Sequence, residues 1–202
     1  MIKPCVFMVG ASGTGKTTLA RHVSSKFGIG YVQSPLTALA RERGGFAEIG
    51  TTLEKRDAFQ RDALAVVADT LETATKANTP FVTDRSLDVL AYTAEEAGCT
   101  WEQANSKDLE RILASMKDAH SDRDGPAVVF FLANSRTVND AARTSDGDRR
   151  GKFLDWDYAC RIEGILRFLL ESKGVPYIPV MGDGLRDRQR LVDRVVQLAC
   201  RR

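Results

Sequence analysis

Residues 6–17 read Val6-Phe7-Met8-Val9-Gly10-Ala11-Ser12-Gly13-Thr14-Gly15-Lys16-Thr17, and the part from Gly10 onward matches G-x-x-x-x-G-K-[ST] at every fixed position. Each residue type has a physical reason. Glycines let the backbone curl until several N–H groups converge on one anion. Lys16 supplies a mobile positive charge for the β- and γ-phosphates of a nucleotide, and the Thr17 hydroxyl can ligate Mg²⁺. The apolar run before the loop reads as a buried strand. The segment Lys16 to Phe27 reads as a helix closed by Gly28, which places the phosphates at a positive helix N-terminus. Strand, loop and helix in that order are the context the motif requires, so the sequence predicts that a nucleoside triphosphate binds here. The predicted nucleotide-binding set is Gly10, Ala11, Ser12, Gly13, Thr14, Gly15, Lys16, Thr17 and Thr18.

Working outward, the rest of the chain alternates strand and helix signals, the pattern of a parallel sheet covered by helices on both faces. Ile29 to Gln33 reads as a short second strand. Thr51-Thr52-Leu53-Glu54 has the form of a capping box. Behind it Phe59, Ala63, Val66, Val67, Leu71 and Ala74 recur at helical spacing. Phe81-Val82-Thr83 is a third strand, with helices predicted over Leu87 to Ala97 and Thr100 to Ala119. Val128 to Leu132 is the clearest buried strand. A helix over Leu154 to Lys173 stops at Gly174, Val175 to Val180 is the last strand, and a final helix runs from Leu185 to Leu198.

Composition sets bounds on these readings. A chain of 202 residues can bury one α/β core, so a single domain over 1–202 is expected. The longest purely apolar run, Ala127 to Ala133, is too short to span a bilayer, and no secretory leader is expected before the first strand. Cys5, Cys99, Cys160 and Cys200 are scattered without a C-x-x-C pair, which argues against a zinc site and for thiols in a reducing cytoplasm. His22 and His120 are isolated and read as structural or surface residues. The net charge of +2 permits a nucleic-acid partner without demanding one.

Parallel sheets place ligands at the carboxyl ends of their strands, which singles out three further segments. Thr83-Asp84-Arg85-Ser86 follows the third strand. Asp84 can hold Mg²⁺ or accept a proton from an attacking hydroxyl, and Arg85 can clamp a phosphate. The alternative is a helix-capping Asp84 with Arg85 in a surface ion pair. Arg136 to Lys152 follows the fourth strand and carries Arg143, Arg149, Arg150 and Lys152, as a flap over a triphosphate does; a solvated loop is the competing reading. Met181-Gly182-Asp183-Gly184 is a turn suited to backbone contact with a purine base or to plain helix initiation. Arg186, Arg188, Arg190, Arg194, Arg201 and Arg202 make the C-terminus basic, read as a solvated helix face that can also receive a polyanion.

The phosphate loop, the Asp84-Arg85-Ser86 after a strand and the arginines after the fourth strand resemble small P-loop kinases of the thymidylate kinase and deoxynucleoside kinase superfamily. The stretch from Val82 to Tyr92 is especially similar to the nucleotide and nicotinamide-riboside kinase-like ATPases. This resemblance covers most of the chain. It implies one P-loop kinase domain with a five-stranded parallel sheet in the order 2-3-1-4-5 and an arginine-bearing lid over about 136–152. It implies ATP and Mg²⁺ as cofactors, Thr17 and Asp84 as metal residues, and Lys16, Asp84, Arg85, Arg143 and Arg149 as catalytic ones.

One departure bears on the acceptor. Deoxynucleoside kinases usually carry Glu-Pro after the second strand, where the carboxylate takes the proton from the acceptor hydroxyl. This chain has Gln33-Ser34-Pro35, and Gln33 is no base. Either the acceptor arrives anionic, as a nucleoside monophosphate does, or Asp84 does the proton chemistry. Some phage-encoded relatives phosphorylate the hydroxymethyl group of 5-hydroxymethyluracil within DNA, which adds modified DNA to the candidate acceptors. The expected activity is therefore transfer of the ATP γ-phosphate to a pyrimidine-type nucleoside or nucleotide, free or in DNA. The expected protein is a cytoplasmic monomer or homodimer (in the host cytoplasm if phage-encoded) with no membrane partner. The rival is a nucleotide-dependent switch or DNA-associated ATPase with no acceptor.

Overall fold

Strand β1 (Cys5–Gly10) is buried along its whole length, so it must be an inner strand with helices on both sides. A computed structural model describes residues 4–96, 107–121, 127–135, 138 and 155–200. After β1 come α1 (Lys16–Phe27), β2 (Gly30–Val32), α2 (Leu36–Glu42), α3 (Phe46–Ile49), α4 (Leu53–Lys76), β3 (Phe81–Thr83) and α5 (Asp88–Glu96). Then follow α6 (Lys107–Ser121), β4 (Ala127–Leu132), α7 (Trp156–Ser172), β5 (Ile178–Val180) and α8 (Leu185–Ala199). The strands form one five-stranded sheet in the order β2-β3-β1-β4-β5, with every pairing parallel. This is the P-loop kinase-like topology that the resemblance implied.

The period of two along β1 sorts its side chains between two cores. Cys5, Phe7 and Val9 join Phe81, Val129 and Phe131 beneath α4, α5, α6 and α7. Val6 and Met8 join Val82, Phe130, Leu132 and Val180 beneath α1 and α8. Fully burying one such side chain is worth roughly 1.5–3 kcal/mol, so the strand's two-faced burial anchors the start of the phosphate loop firmly.

The element ends differ from expectation in instructive ways. The capping box is shifted: Thr52, not Thr51, is the N-cap of α4 and accepts from the Lys55 N–H at 3.2 Å. The Thr51 hydroxyl instead donates to the Glu48 carbonyl and closes α3. Periodicity assigns no element between Gln33 and Thr51, where α2 and α3 each run two turns or fewer, too short to establish one. β5 begins at Ile178 rather than Val175, because the Val175 N–H closes the end of α7 on the Leu170 carbonyl. Of the helix expected over Thr100 to Ala119, the part before Lys107 lies outside the described residues, as do Cys99, the predicted lid arginines Arg136, Arg143, Arg149 and Arg150, Lys152, Arg201 and Arg202. Among the described residues no helix is long and apolar enough to cross a membrane.

Candidate nucleotide site

The phosphate loop leaves β1 at Gly10, which pairs with Leu132 across the β1–β4 ladder. A Cβ at Gly10 would lie 2.7 Å from the Leu132 carbonyl oxygen, so the backbones approach too closely for any side chain. Gly15 sits at φ 90° as the N-cap of α1, a left-handed conformation that glycine adopts without strain. Helix α1 has no side-chain cap and no acidic residue in its first turn, so no side chain of its own competes with an anion there. The Thr14 hydroxyl donates to the Ala11 carbonyl at 2.9 Å and braces the loop from within. Lys16 is buried, and its ammonium donates to the Gly10 and Ala11 carbonyls, both at 2.7 Å.

Asp84, one residue beyond β3, faces this loop. Its buried carboxylate accepts from the Thr17 hydroxyl through Oδ2, joining positions far apart in sequence. The other oxygen, Oδ1, is buried without a hydrogen-bond partner. An orphaned carboxylate oxygen beside a threonine hydroxyl is a hard oxygen donor pair that suits Mg²⁺. Among the described residues no cluster of His, Cys, Asp and Glu forms an all-protein metal cage. Tyr31 on β2 stands nearby; its phenol is pushed up to about 12, by burial first and then by the charge of Asp84. Arg21 and Arg85 oppose that shift.

Arg85 is set by Asp88, which the sequence reading did not single out. The fully buried Asp88 carboxylate pairs with the Arg85 guanidinium through Oδ2 and accepts from the Ser86 N–H at 2.8 Å through Oδ1. Burial works against the Arg85 charge, but Asp88, then Tyr92 and Asp84, outweigh it and hold the guanidinium above its ordinary range. The ion-pair partner of Arg85 is thus Asp88, the first residue of α5, and the pair is part-buried rather than on the surface. Arg85 also lies against Gln33, Ser34, Pro35, Val67, Thr70, Leu71 and Thr83, in a closed seam without space for a water-sized sphere. A signal for Asp88 existed, since an acid at the first position of a helix favours its positive end.

The turn after β5 is engaged by protein. The Gly182 carbonyl accepts from Arg188 Nε at 2.8 Å, and the Asp183 carbonyl accepts from the Ser135 hydroxyl at 3.3 Å. Arg188 also donates to the Thr14 carbonyl at 2.9 Å and the Ala133 carbonyl at 2.8 Å. It is 1% exposed, so the reading of the C-terminal arginines as one solvated face fails at this position. Arg186, Arg190 and Arg194 are exposed as expected. His22 is a surface residue joined to Asp193 at 2.8 Å, and Cys5 and Cys200 are buried.

With this geometry in place, a family model described as AAA domain matches residues 5–188. The chain belongs to that AAA domain family. No curated protein matches it. Among solved structures it is similar to deoxyadenosine kinase from M. mycoides with products dCMP and a flexible dCDP bound. That similarity has 16% identity and a TM-score of 0.65, covering 96% of this chain and 98% of the other. It is also similar to the YorR protein of Bacillus subtilis in complex with phosphorylated GDP, with 13% identity, a TM-score of 0.54 and coverage of 96% and 94%. At these identities the likeness establishes the fold alone: a P-loop domain built like the small kinases.

Proposed function

We propose that the protein is a Mg-ATP-dependent kinase that transfers the γ-phosphate to a pyrimidine-type nucleoside or nucleotide, free or within DNA. The observation that carries this reading is the Thr17–Asp84 pair with its orphaned carboxylate oxygen, one residue from an Arg85 guanidinium held in place by Asp88. A site with donor-side and acceptor-side features on adjacent residues is what transfer between two bound molecules requires. The fold shared with a deoxyadenosine kinase supports a deoxynucleotide-type acceptor.

In this reading the loop amides and Lys16 hold the phosphates, exchanging the Gly10 and Ala11 carbonyls for phosphate oxygens. Thr17 and Asp84 would hold Mg²⁺, which when bound neutralises charge on the β- and γ-phosphates. Arg85, oriented by Asp88, stabilises charge on the acceptor side. Rate enhancement then comes from positioning and fixed charge.

Membership of an AAA domain family favours a second reading, ATP hydrolysis without an acceptor. One experiment separates the two. Protein, Mg²⁺ and γ-labelled ATP are incubated alone, with pyrimidine nucleosides and monophosphates, and with DNA containing or lacking 5-hydroxymethyluracil. Label appearing in an acceptor supports the kinase. Label released as phosphate at the same rate in every tube would overturn it in favour of the ATPase. Label confined to the modified DNA would select the DNA-base acceptor, and its rate should then fall steeply with salt.

A further inference from the structure

Helix α5 places two side chains on one face, because Asp88 and Tyr92 are four residues apart. Asp88 grips Arg85 on the acceptor side. Tyr92 reaches the other way: its hydroxyl oxygen accepts from the Ser12 N–H of the phosphate loop at 2.7 Å, across 80 residues of sequence. That N–H belongs to the set of loop amides that converge on phosphate in nucleotide-binding loops. In this structure a phenolic oxygen therefore takes the place of a phosphate oxygen at Ser12. Ser12 lies at the opposite end of the loop from the helix N-terminus, where Gly15 and Lys16 sit. The Tyr92 hydroxyl is also close enough to Arg85 to raise its affinity for the proton.

The ring itself is firmly set. Tyr92 stacks on Tyr158 of α7 with centroids 6.2 Å apart and planes 23° apart. The guanidinium of Arg161 lies 5.6 Å over the Tyr158 ring, and its Nε donates to Glu95 of α5 at 2.7 Å. The phenol is thus held from behind, with its oxygen on the phosphate loop.

We propose that Tyr92 is a phosphate-contacting residue whose hydroxyl recognises the terminal phosphate of the bound triphosphate. In this structure the oxygen accepts from Ser12. When a phosphate oxygen takes over that N–H, the phenol turns its own O–H onto the same phosphate, between Ser12 and Arg85. A hydroxyl is suited to this place because it accepts in one state and donates in the other. This inference rests on the kinase reading above, since it assumes that the terminal phosphate lies between the loop and the Arg85 side.

The test is direct binding of ADP and of a non-hydrolysable ATP analogue (β,γ-imido) in Mg²⁺ by calorimetry, for the wild type and for Tyr92→Phe. Phenylalanine keeps the stack on Tyr158 and removes only the hydroxyl. One neutral hydrogen bond predicts an affinity loss of about fivefold for the triphosphate analogue with ADP unchanged. Equal loss for both nucleotides, or no loss for either, would overturn the proposal, because a merely structural tyrosine cannot distinguish them. A wild-type protein that binds neither nucleotide would instead overturn the reading beneath it.

Discussion

Replacing Arg188 with methionine tests how the three loops at the carboxyl edge of the sheet are held together. The guanidinium donates to carbonyls of the phosphate loop, of the end of β4 and of the turn after β5, all at 2.8–2.9 Å. Methionine fills similar space and donates nothing. Each buried carbonyl left without its partner costs about 1–3 kcal/mol. Against this, the variant no longer buries a cation, a penalty of several kcal/mol that the three bonds now offset. Burial indeed lowers the pKa of this arginine despite the nearby carboxylates of Asp183 and Glu163. The net loss expected is about 2–4 kcal/mol, or a melting point lower by roughly 5–15 °C for a domain of this size.

The assay is urea unfolding of Arg188→Met beside Arg190→Met, two residues on. The Arg190 side chain is 80% exposed and only 3.4 Å from Asp187, so its removal should change stability by less than about 0.5 kcal/mol. Arg188→Met should also weaken ATP binding, because Thr14 loses the tether that fixes the loop from behind. If both variants unfold within about 0.5 kcal/mol of the wild type, the buried arginine does not hold the loops and the reasoning is wrong.

Gly10→Ala drives a methyl group to 2.7 Å from the Leu132 carbonyl and should cost about 1–3 kcal/mol by overpacking, measurable as a lower urea midpoint. Lys16→Ala should abolish phosphoryl transfer while the far-ultraviolet circular dichroism stays native; robust turnover in that variant would sink the assignment of the loop. Tyr31 titrates near 12 when folded, above its ordinary value of 10.0. The unfolded chain therefore releases this proton first, and the stability Tyr31 contributes is full below pH 10 and lost as pH rises through 12. Tyr31→Phe should flatten the decline in urea midpoint between those limits relative to the wild type, and identical slopes would refute the shift.

Much of the donor half of the site was legible because it is local. The phosphate loop binds through its own backbone, so consecutive residues encode it, and α1 spans Lys16–Phe27 as read. The strand order followed from the resemblance and agrees with the observed ladder. Illegible were the contacts that depend on tertiary placement. Arg188 and the exposed Arg186, Arg190 and Arg194 look alike in a list of charges, yet only the register of α8 against the sheet decides which is buried. Tyr92 reads as one more apolar position of a helix until the fold brings Ser12 beside it. Asp88 is inconspicuous in the sequence because Asp84, four residues earlier, offers the same chemistry directly after a strand.

The two roles open to Asp84 compete for one atom. Oδ2 is committed to the Thr17 hydroxyl, which leaves Oδ1 as the oxygen free for new work. If Oδ1 holds Mg²⁺ it does not also collect a proton, and the acceptor must arrive already anionic. If Oδ1 takes the proton of an acceptor hydroxyl, Mg²⁺ rests on Thr17 and the phosphates alone. Gln33, which lies against the same seam as Arg85, offers no basic alternative. Asp84→Asn separates these cases, because the amide keeps an oxygen near Thr17 while losing both charge and basicity. In the metal role, the variant needs roughly tenfold more Mg²⁺ for half-maximal rate and is partly rescued by it, as expected when a carboxylate ligand is lost. In the base role, kcat falls by about 10²–10⁴ for hydroxyl acceptors at any Mg²⁺ concentration, while transfer to a monophosphate is spared. Measuring kcat against Mg²⁺ with both acceptor classes therefore reads out which atom-level role is real. A variant that turns over normally with both acceptors would return Asp84 to a structural partner of Thr17 and remove the basis for placing the chemistry there.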